Sequence, residues 1–389
     1  MTLSRKITLF KFKVFRKLRK IREIIVGIFD YNIRHNFQAL QPKAVLMALT
    51  YQCNSKCVMC NIWKMKPKNE LTYEEWQKIL SDPVFKNIER CGLTGGEVSL
   101  HPQLPEMVEL IAQSMPKLQK LDVISHGFMT ELIVKRVKEI AKICNKYNID
   151  LSVSISLDGV DEMHEKIRRI PDAFKKSTST LFQLKKISKK YGFWVGSGSV
   201  VLRQNLPEVE KMKQWYEDHH IEGTFQIVGF HDTYVDNLDT KKGVNFRKNE
   251  QRLLESFMEE MGRPRSWLDF RAYYWKDLLH MYRDGRPRTT TCPFQYDQFA
   301  LDSFGDVYYC FSSSKIGNCR GDETVSEILF SPKNLKFKKK MISSSCLGCN
   351  SGCDVEKSIP KELKKYSWFL LTGKPWYGFK SYFKKFSKS

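Results

Sequence analysis

The sequence predicts an α/β protein built on a parallel sheet, with a small cysteine-rich region towards its C-terminal end. Three observations carry this. Between residues 44 and 232, six β-like runs alternate with helical ones, the pattern of βα repeats. The 11 cysteines fall in clusters rather than scattered singly. With 389 residues, 42% of them hydrophobic, the chain is a folded globular protein of two or three structural units.

The strands read, in order, "AVLMALT", "IERCGLTG", "KLDVISHG", "DLSVSISLDG", "GSGSVVLRQN" and "TFQIVGFH". Between them lie helical patterns: "TYEEWQKIL", "LPEMVELIAQSM", "LIVKRVKEIAKICNKY", residues 177–191, and "LPEVEKMKQWYEDHH". Six such units make a barrel or an open wound sheet. A closed eight-unit barrel needs two more repeats, and the text after Asp232 does not supply them.

Outside residues 44–232 the composition changes. Residues 1–43 form a basic leader in which Leu3, Ile7, Phe10, Val14, Leu18, Ile21 and Ile25 mark one face of an amphipathic helix. Arg5, Lys6, Lys13, Arg16, Arg19 and Lys20 fall largely outside that stripe, and no acid precedes Glu23. Residues 233–288 read as a polar helical bridge, residues 289–355 as the cysteine-rich region, and residues 356–389 as a basic tail. The tail interleaves lysines with Trp368, Phe369, Trp376, Tyr377, Phe379, Tyr382 and Phe383.

The formal charge of +22 suits nucleic acid, an anionic membrane surface or acidic substrates. The leader and tail suit peripheral contact with an anionic membrane. No recognisable RNA-binding module accompanies the repeats, which speaks against nucleic acid. No signal peptide is visible and no apolar run is long enough to span a bilayer, so a cytoplasmic location is expected. In that reducing compartment, clustered cysteines read as metal ligands or redox groups.

The densest cluster is "TYQCNSKCVMCNIW", which places Cys53, Cys57 and Cys60 as C-x3-C-x2-C directly after the first strand. Strand-to-loop junctions at the C-terminal edge of a parallel sheet are where such folds put their chemistry. Thiolates are the usual ligands of iron–sulfur clusters. Three of them leave one iron of a cubane without a protein ligand, and an open position is what separates a catalytic centre from a closed structural one. A zinc site with a distant fourth ligand is the alternative; buried apolar cysteines are disfavoured by the polar neighbours Asn54, Ser55 and Lys56. The second strand ends in "LTGGEVSLHP", where Gly95 and Gly96 permit close approach to backbone and Glu97 can accept hydrogen bonds from an amino group.

With C-x3-C-x2-C, "GGE" and "SISLDGVDEMHEKIRR" in place, residues 44–232 resemble the radical S-adenosylmethionine (SAM) enzymes. The resemblance implies a partial (β/α)6 TIM-like barrel holding a [4Fe–4S] cluster on Cys53, Cys57 and Cys60. SAM would chelate the fourth iron through its amino and carboxylate groups. One electron would then cleave it to methionine and a 5′-deoxyadenosyl radical that abstracts a substrate hydrogen, with flavodoxin or ferredoxin as electron donor. By the same resemblance Gly95, Gly96 and Glu97 would hold the SAM amino group, Ser156 the ribose, and Arg168 or Arg169 the carboxylate. His164 reads as structural. Two positions depart from the family: Met59 replaces a common aromatic, and "SHG" at 125–127 stands where Thr-Asn-Gly is common.

In the second cysteine region Cys292 and Cys310 flank a hairpin-like segment turning at "DSFGD", and "CLGCNSGC" follows. From the residues alone this is a four-thiolate site for zinc or an iron–sulfur cluster. It resembles the SPASM/twitch extension of radical SAM enzymes, which implies a small C-terminal iron–sulfur domain. The cysteines present suffice for one auxiliary [4Fe–4S] cluster, on Cys292, Cys310, Cys346 and Cys349, with Cys353 the alternative to Cys349. Cys91, Cys144 and Cys319 read as structural.

Relatives of this architecture act on peptides, protein side chains and sugars, and peptide maturases often carry a recognition domain ahead of the barrel. The leader is too short for one, so a small polar or saccharide-type substrate is expected, to be oxidised or otherwise modified. A peptide or protein side chain is the alternative, with RNA behind it. A non-catalytic zinc or iron–sulfur protein is the alternative of another class. No catalytic side chain is singled out; Tyr296, Tyr234 and His231 are candidates for quenching a substrate radical.

Overall fold

The computed structural model describes residues 22–266, 269–352 and 354–376. The leader stripe before residue 22, Cys353 and the tail aromatics after Trp376 lie outside the described residues.

Two compact units divide the chain. One comprises Gln41–Ser256 and Asp297–Ser351 and contains the whole sheet. Its strands are β1 (Ala44–Ala48), β2 (Arg90–Thr94), β3 (Lys120–Ser125), β4 (Asp150–Ser156), β5 (Trp194–Val201), β6 (Gly223–Ile227), β7 (Gln298–Asp302), β8 (Asp306–Tyr308) and β9 (Gly317–Asn318). The order β6-β5-β4-β3-β2-β1-β7-β8-β9 keeps the six βα strands parallel and in sequence. That is the expected (β/α)6 succession, and it is open: the free edge of β1 takes β7 in parallel, Ala44 opposite Gln298 and Ala48 opposite Asp302.

The cysteine-rich region is therefore not a separate sheet. Its first strand extends the barrel sheet, and β8 and β9 follow antiparallel after the "DSFGD" turn. Gly305 supplies the positive φ of +82° there. The helix Val325–Phe330 ties back to the first βα unit through Asp82, whose Oδ2 accepts from the Ser326 backbone N–H at 2.8 Å.

Alternation along the strands separates two faces. Leu121, Val123, Leu151, Val153 and Ile155 are buried. Their alternates Asp122, Ser152, Ser154, Ser156 and, on the neighbouring strands, Gly198 and Thr224 are only partly covered. The register sets Asp122 beside Ser152, Ser156 beside Gly198, and Gly198 in turn beside Thr224. On β3 and β4 one set of side chains is thus aliphatic and buried, and the alternate set, apart from the half-exposed Ile124, is small or polar and only partly covered.

The helices form where the periodicity places them: Tyr73–Leu80, Leu104–Ser114, Thr130–Lys146, Ala173–Tyr191 and Val209–Asp218. The first starts on a capping box, Thr72 Oγ1 accepting from Glu75 N–H and the Glu75 carboxylate from Thr72 N–H.

The second unit gathers the described parts of Met1–Leu40, Phe257–Tyr296 and Gly352–Ser389. Its core packs Tyr273 of the helix Phe270–Asp284 against Phe369 of the helix Leu363–Thr372, centroids 4.9 Å apart. Asp277 ties down the following loop by accepting from the backbone N–H groups of Thr289 and Thr290. Among the described residues no helix is long and apolar enough to cross a membrane.

Candidate active site

The loops after β1, β2, β3 and β4 converge at the C-terminal edge of the sheet. The loop after β1 carries Cys53, Cys57 and Cys60 and is pinned from two directions. On one side, Lys56 and Val58 donate backbone hydrogen bonds to Arg168 and Ile167. On the other, Asn61 donates from its backbone to Val235 O and from its side chain to Asp236 O, while Asn237 Nδ2 donates to Met59 O at 2.8 Å. Met59 and Cys57 belong to an apolar cluster with Ile167, Leu202, Val228 and Val244. Met59, in place of an aromatic, thus covers the cysteine loop with a soft apolar group.

Cys57 has the most developed surroundings. Its sulfur lies 3.0 Å from Ser55 Oγ and 3.5 Å from Arg168 Nη1. Arg168 is buried, and Asp158 Oδ2 holds its Nη2 at 2.7 Å. Burial opposes the Arg168 charge, but Asp158 and Cys57 outweigh it and raise its pKa. Asp158 is itself fixed, its Oδ1 accepting from Val200 N–H at 2.9 Å and its carbonyl from Asn205 Nδ2 at 2.7 Å. Arg169 takes a different role: it donates to Lys56 O and lies over the Trp63 ring, 5.1 Å from the centroid.

The glycines at the end of β2 have a tight local reason. A Cβ on Gly95 would stand 2.2 Å from Thr50 O, and one on Gly96 2.2 Å from Gln52 O. Gly95 also has φ +146°, a conformation open to glycine. What approaches these glycines most closely is therefore the loop after β1, bonded through Gly96 N–H to Thr50 O and Glu97 N–H to Gln52 O, both 2.7 Å.

Glu97 points into the protein. Its Oε1 accepts from Ser125 Oγ at 2.8 Å and Ser99 N–H at 3.1 Å, and its Oε2 from His126 N–H at 2.8 Å. The carboxylate knits the β2 and β3 loops. His126 continues the network: its Nδ1 accepts from Phe128 N–H at 3.0 Å, which leaves Nε2 as the donor to Asn54 Oδ1 at 2.6 Å. Burial lowers the His126 pKa to about 4, against the pull of Glu97, so the ring is neutral near pH 7. The histidine in "SHG" thus anchors the residue next to Cys53. His164 is buried and accepts from Asp158 N–H at 3.0 Å. Ser156 ends β4 on the partly open face, opposite Gly198.

Along the edge facing β7, Tyr51 and Tyr308 both donate to Asp302 Oδ2 at 3.0 Å. Burial raises the Asp302 pKa. Tyr234 donates to Gly95 O at 2.7 Å and stacks on Phe311 at 4.2 Å. Phe311 neighbours Cys310, so an aromatic side chain bridges from the "GGE" backbone to the second cysteine region. Burial raises the Tyr234 phenol, and charges on Cys60 and Cys53 act in the same direction. Tyr51 and Asp302 carry no motif in the sequence; only the β1–β7 pairing brings them together. Tyr296 belongs to the other unit, stacked on Tyr31 at 4.2 Å.

Of the remaining cysteines, Cys310 and Cys349 accept from the backbone N–H groups of Ser312 and Ser351 at 3.4 Å. Cys346 sits in the turn Ser345–Gly348, and Cys349 N–H donates to its carbonyl. Cys292 belongs to the other unit. Cys91, Cys144 and Cys319 are buried, and Cys319 donates to Gly305 O.

The residues suit iron–sulfur chemistry. Burial pushes the Cys53 and Cys60 thiols up to about 12, so thiolates there call for a positive partner such as iron. The sulfurs do not converge on a single ion: among the described residues no three His, Cys, Asp or Glu side chains do. Arg168 Nε is buried with no hydrogen-bond partner, a donor beside Cys57 available to an anion.

Residues 47–216 match the radical SAM superfamily and residues 292–350 the iron-sulfur cluster-binding domain named SPASM. Residues 47–216 are thus a radical SAM domain and residues 292–350 a SPASM iron-sulfur domain, with SAM and [4Fe–4S] clusters as the cofactors these domains imply. It is 24% identical over 284 residues to the antilisterial bacteriocin subtilosin biosynthesis protein AlbA of Bacillus subtilis, covering 69% of this chain and 55% of AlbA. It is 30% identical over 161 residues to the sporulation killing factor maturation protein SkfB of the same organism, covering 41% of this chain and 37% of SkfB. The chain thus spans about half or less of the length of these relatives. In fold it resembles Streptococcus suis SuiB bound to S-adenosylmethionine, with TM-score 0.54, 14% identity, and 89% and 80% of the two chains covered. It also resembles anSMEcpe with bound AdoMet, with TM-score 0.55, 19% identity, and 85% and 99% covered.

Proposed function

We propose that this enzyme modifies a peptide or protein side chain. The observation that carries the reading is its similarity to proteins named for the biosynthesis of a bacteriocin and the maturation of a killing factor. A fold relative, anSMEcpe with bound AdoMet and Cp18Cys peptide, supports it. These findings favour a peptide over the small polar or saccharide-type substrate expected from the short leader.

Cys53, Cys57 and Cys60 would hold the cluster that binds SAM. One auxiliary cluster would use Cys292, Cys310, Cys346 and Cys349, with Cys353 the alternative last ligand. Residues 44–232 and 289–355 would be the two functional regions. When bound, the first cluster would supply the one-electron reduction of SAM on which abstraction of a substrate hydrogen depends. The protein's own residues set the stage for that step. Gly95 and Gly96 let the β1 and β2 loops close on one another; Glu97 and His126 hold the loop after β3 against Asn54. Ser156 would meet the ribose from the end of β4, and Arg168 would serve Cys57 and, through its free Nε, an anionic group of SAM. A flavodoxin or ferredoxin would supply the electron.

The test is anaerobic reconstitution and co-expression with short peptides encoded beside its gene, read by mass spectrometry. A peptide mass change that requires SAM and Cys57 is the expected result. Production of 5′-deoxyadenosine stimulated by a sugar and by no peptide would overturn the substrate class and leave the radical chemistry standing.

A further inference from the structure

An exposed apolar stripe in the second unit serves neither the sheet nor the cysteine loops. Residues 22–32 are helical. One side of this helix is docked: Tyr31 is buried and stacks on Tyr296, Lys361 Nζ lies 4.4 Å from the Tyr31 centroid, and Asn32 Nδ2 donates to Lys361 O at 2.8 Å. A Cβ on Gly27 would stand 2.7 Å from the Lys361 side chain, which marks the same side. The other side is greasy and open. Ile25 is 61% exposed, Phe29 46% and Ile33 48%, spaced four apart and so on one stripe; Phe37 beyond them is 85% exposed. This is the continuation of the stripe that the sequence starts at Leu3. The same unit holds the helix Leu363–Thr372, where Leu371 is 84% exposed.

Isolated exposed leucines need no explanation, but a periodic apolar stripe on a helix does. Its charge context decides the occupant. Residues 1–21 carry eight Lys and Arg and no acid, and residues 363–389 carry seven Lys and no acid. Near the described stripe, Arg34 pairs with Asp30 and lies over the Phe29 ring, and Lys364 lies over the Trp376 ring. Apolar side chains to sink below the headgroups, flanked in sequence by basic segments free of acid, are what an anionic bilayer surface selects, and Asp30 on the helix itself is paired with Arg34 at 2.8 Å. A protein partner would match the apolar stripe, but gives no reason for a one-signed charge at both ends of the chain.

We propose that the helix of residues 22–32, with Ile25 and Phe29 on its open side and Ile33 in the turn that follows, docks this enzyme on an anionic membrane surface. The docking is independent of which substrate the enzyme modifies. The experiment is co-sedimentation of the anaerobically reconstituted full chain with vesicles of phosphatidylcholine alone and of phosphatidylcholine with phosphatidylglycerol. Binding is expected to the anionic vesicles, to weaken with salt, and to fall by about tenfold or more in the triple variant Ile25→Glu, Phe29→Glu, Ile33→Glu. Formation of 5′-deoxyadenosine from SAM should be unchanged in that variant, which reports that it folds. If the triple variant does not fold, the single variant Phe37→Glu, outside the helix, must still weaken binding.

Three results would overturn the proposal. One is no binding to anionic vesicles. Another is binding that the substitutions leave intact. The third is a dimer in analytical ultracentrifugation that the substitutions dissolve while vesicles are ignored.

Discussion

Arg168 Nη2 stands 2.7 Å from Asp158 Oδ2 with both side chains withdrawn from solvent, and Arg168 Nη1 reaches Cys57 Sγ at 3.5 Å. The carboxylate thus sets where a buried cation meets the cysteine loop. Removing one partner of a buried pair strands the other charge, which costs about 3–5 kcal/mol. Asp158→Ala is expected to lose that much in anaerobic denaturant unfolding. The double variant Asp158→Ala, Arg168→Met should regain most of it, since no charge is then left alone. A double variant as unstable as the single would show that the pair is not the source.

Iron content separates the two cysteine sets. The reconstituted enzyme should hold about eight irons per chain, two cubanes' worth. Replacing Cys53, Cys57 and Cys60 by Ala should leave about four and abolish 5′-deoxyadenosine formation. Replacing Cys310 and Cys346 should also leave about four while SAM cleavage persists. About four irons in the unaltered protein, with Cys310 and Cys346 neutral to mutation, would remove the auxiliary cluster.

His126 makes stability pH-dependent in a known direction. Its folded pKa of about 4 lies below the ordinary value of 6.5 because the neutral ring is buried. As pH falls through that window the unfolded chain takes up the proton first, so stability present above 6.5 is lost towards 4. The loss is at most about 3 kcal/mol. His164 shifts in the same direction, so the measurement is a comparison: melting temperature against pH should fall less steeply in His126→Gln than in the parent. Parallel curves would refute the assignment.

Gly96→Ala tests the contact between the two loops. The added methyl would stand 2.2 Å from Gln52 O and 2.7 Å from Tyr51 O, both rigid backbone. Separating the loops should cost about 1–3 kcal/mol and displace the cysteine loop. Weaker SAM binding in equilibrium dialysis together with a lower melting temperature is expected. Gly198→Ala, where the nearest atom is 3.5 Å away, is the control and should be mild.

The six βα units, their order and the hairpin after "DSFGD" were legible because each rests on local periodicity or turn chemistry. The cysteine triplet and "GGE" were legible because ligand spacing within one loop is itself a sequence property. The role of Glu97 was not: which donors a carboxylate meets depends on Ser125 and His126, one strand away. Nor was the Asp158 grip on Arg168, since "LDG" reads locally as a turn. Tyr51 and Asp302 meet only because β7 pairs with β1 across some 250 residues.

The sequence alone dictated the parallel βα architecture, the three-cysteine loop at its edge and the second cysteine region, all written in short-range spacing. The tertiary structure alone decided that β7 joins the barrel sheet, that Glu97 serves the protein's own loops, that Cys57 is the cysteine given Ser55 and a buried arginine, and that Ile25, Phe29 and Ile33 face outward. Those outcomes depend on which segments a long chain brings together and which groups are then shut off from water. Burial and partnership are properties of the assembled molecule, and no local pattern encodes them.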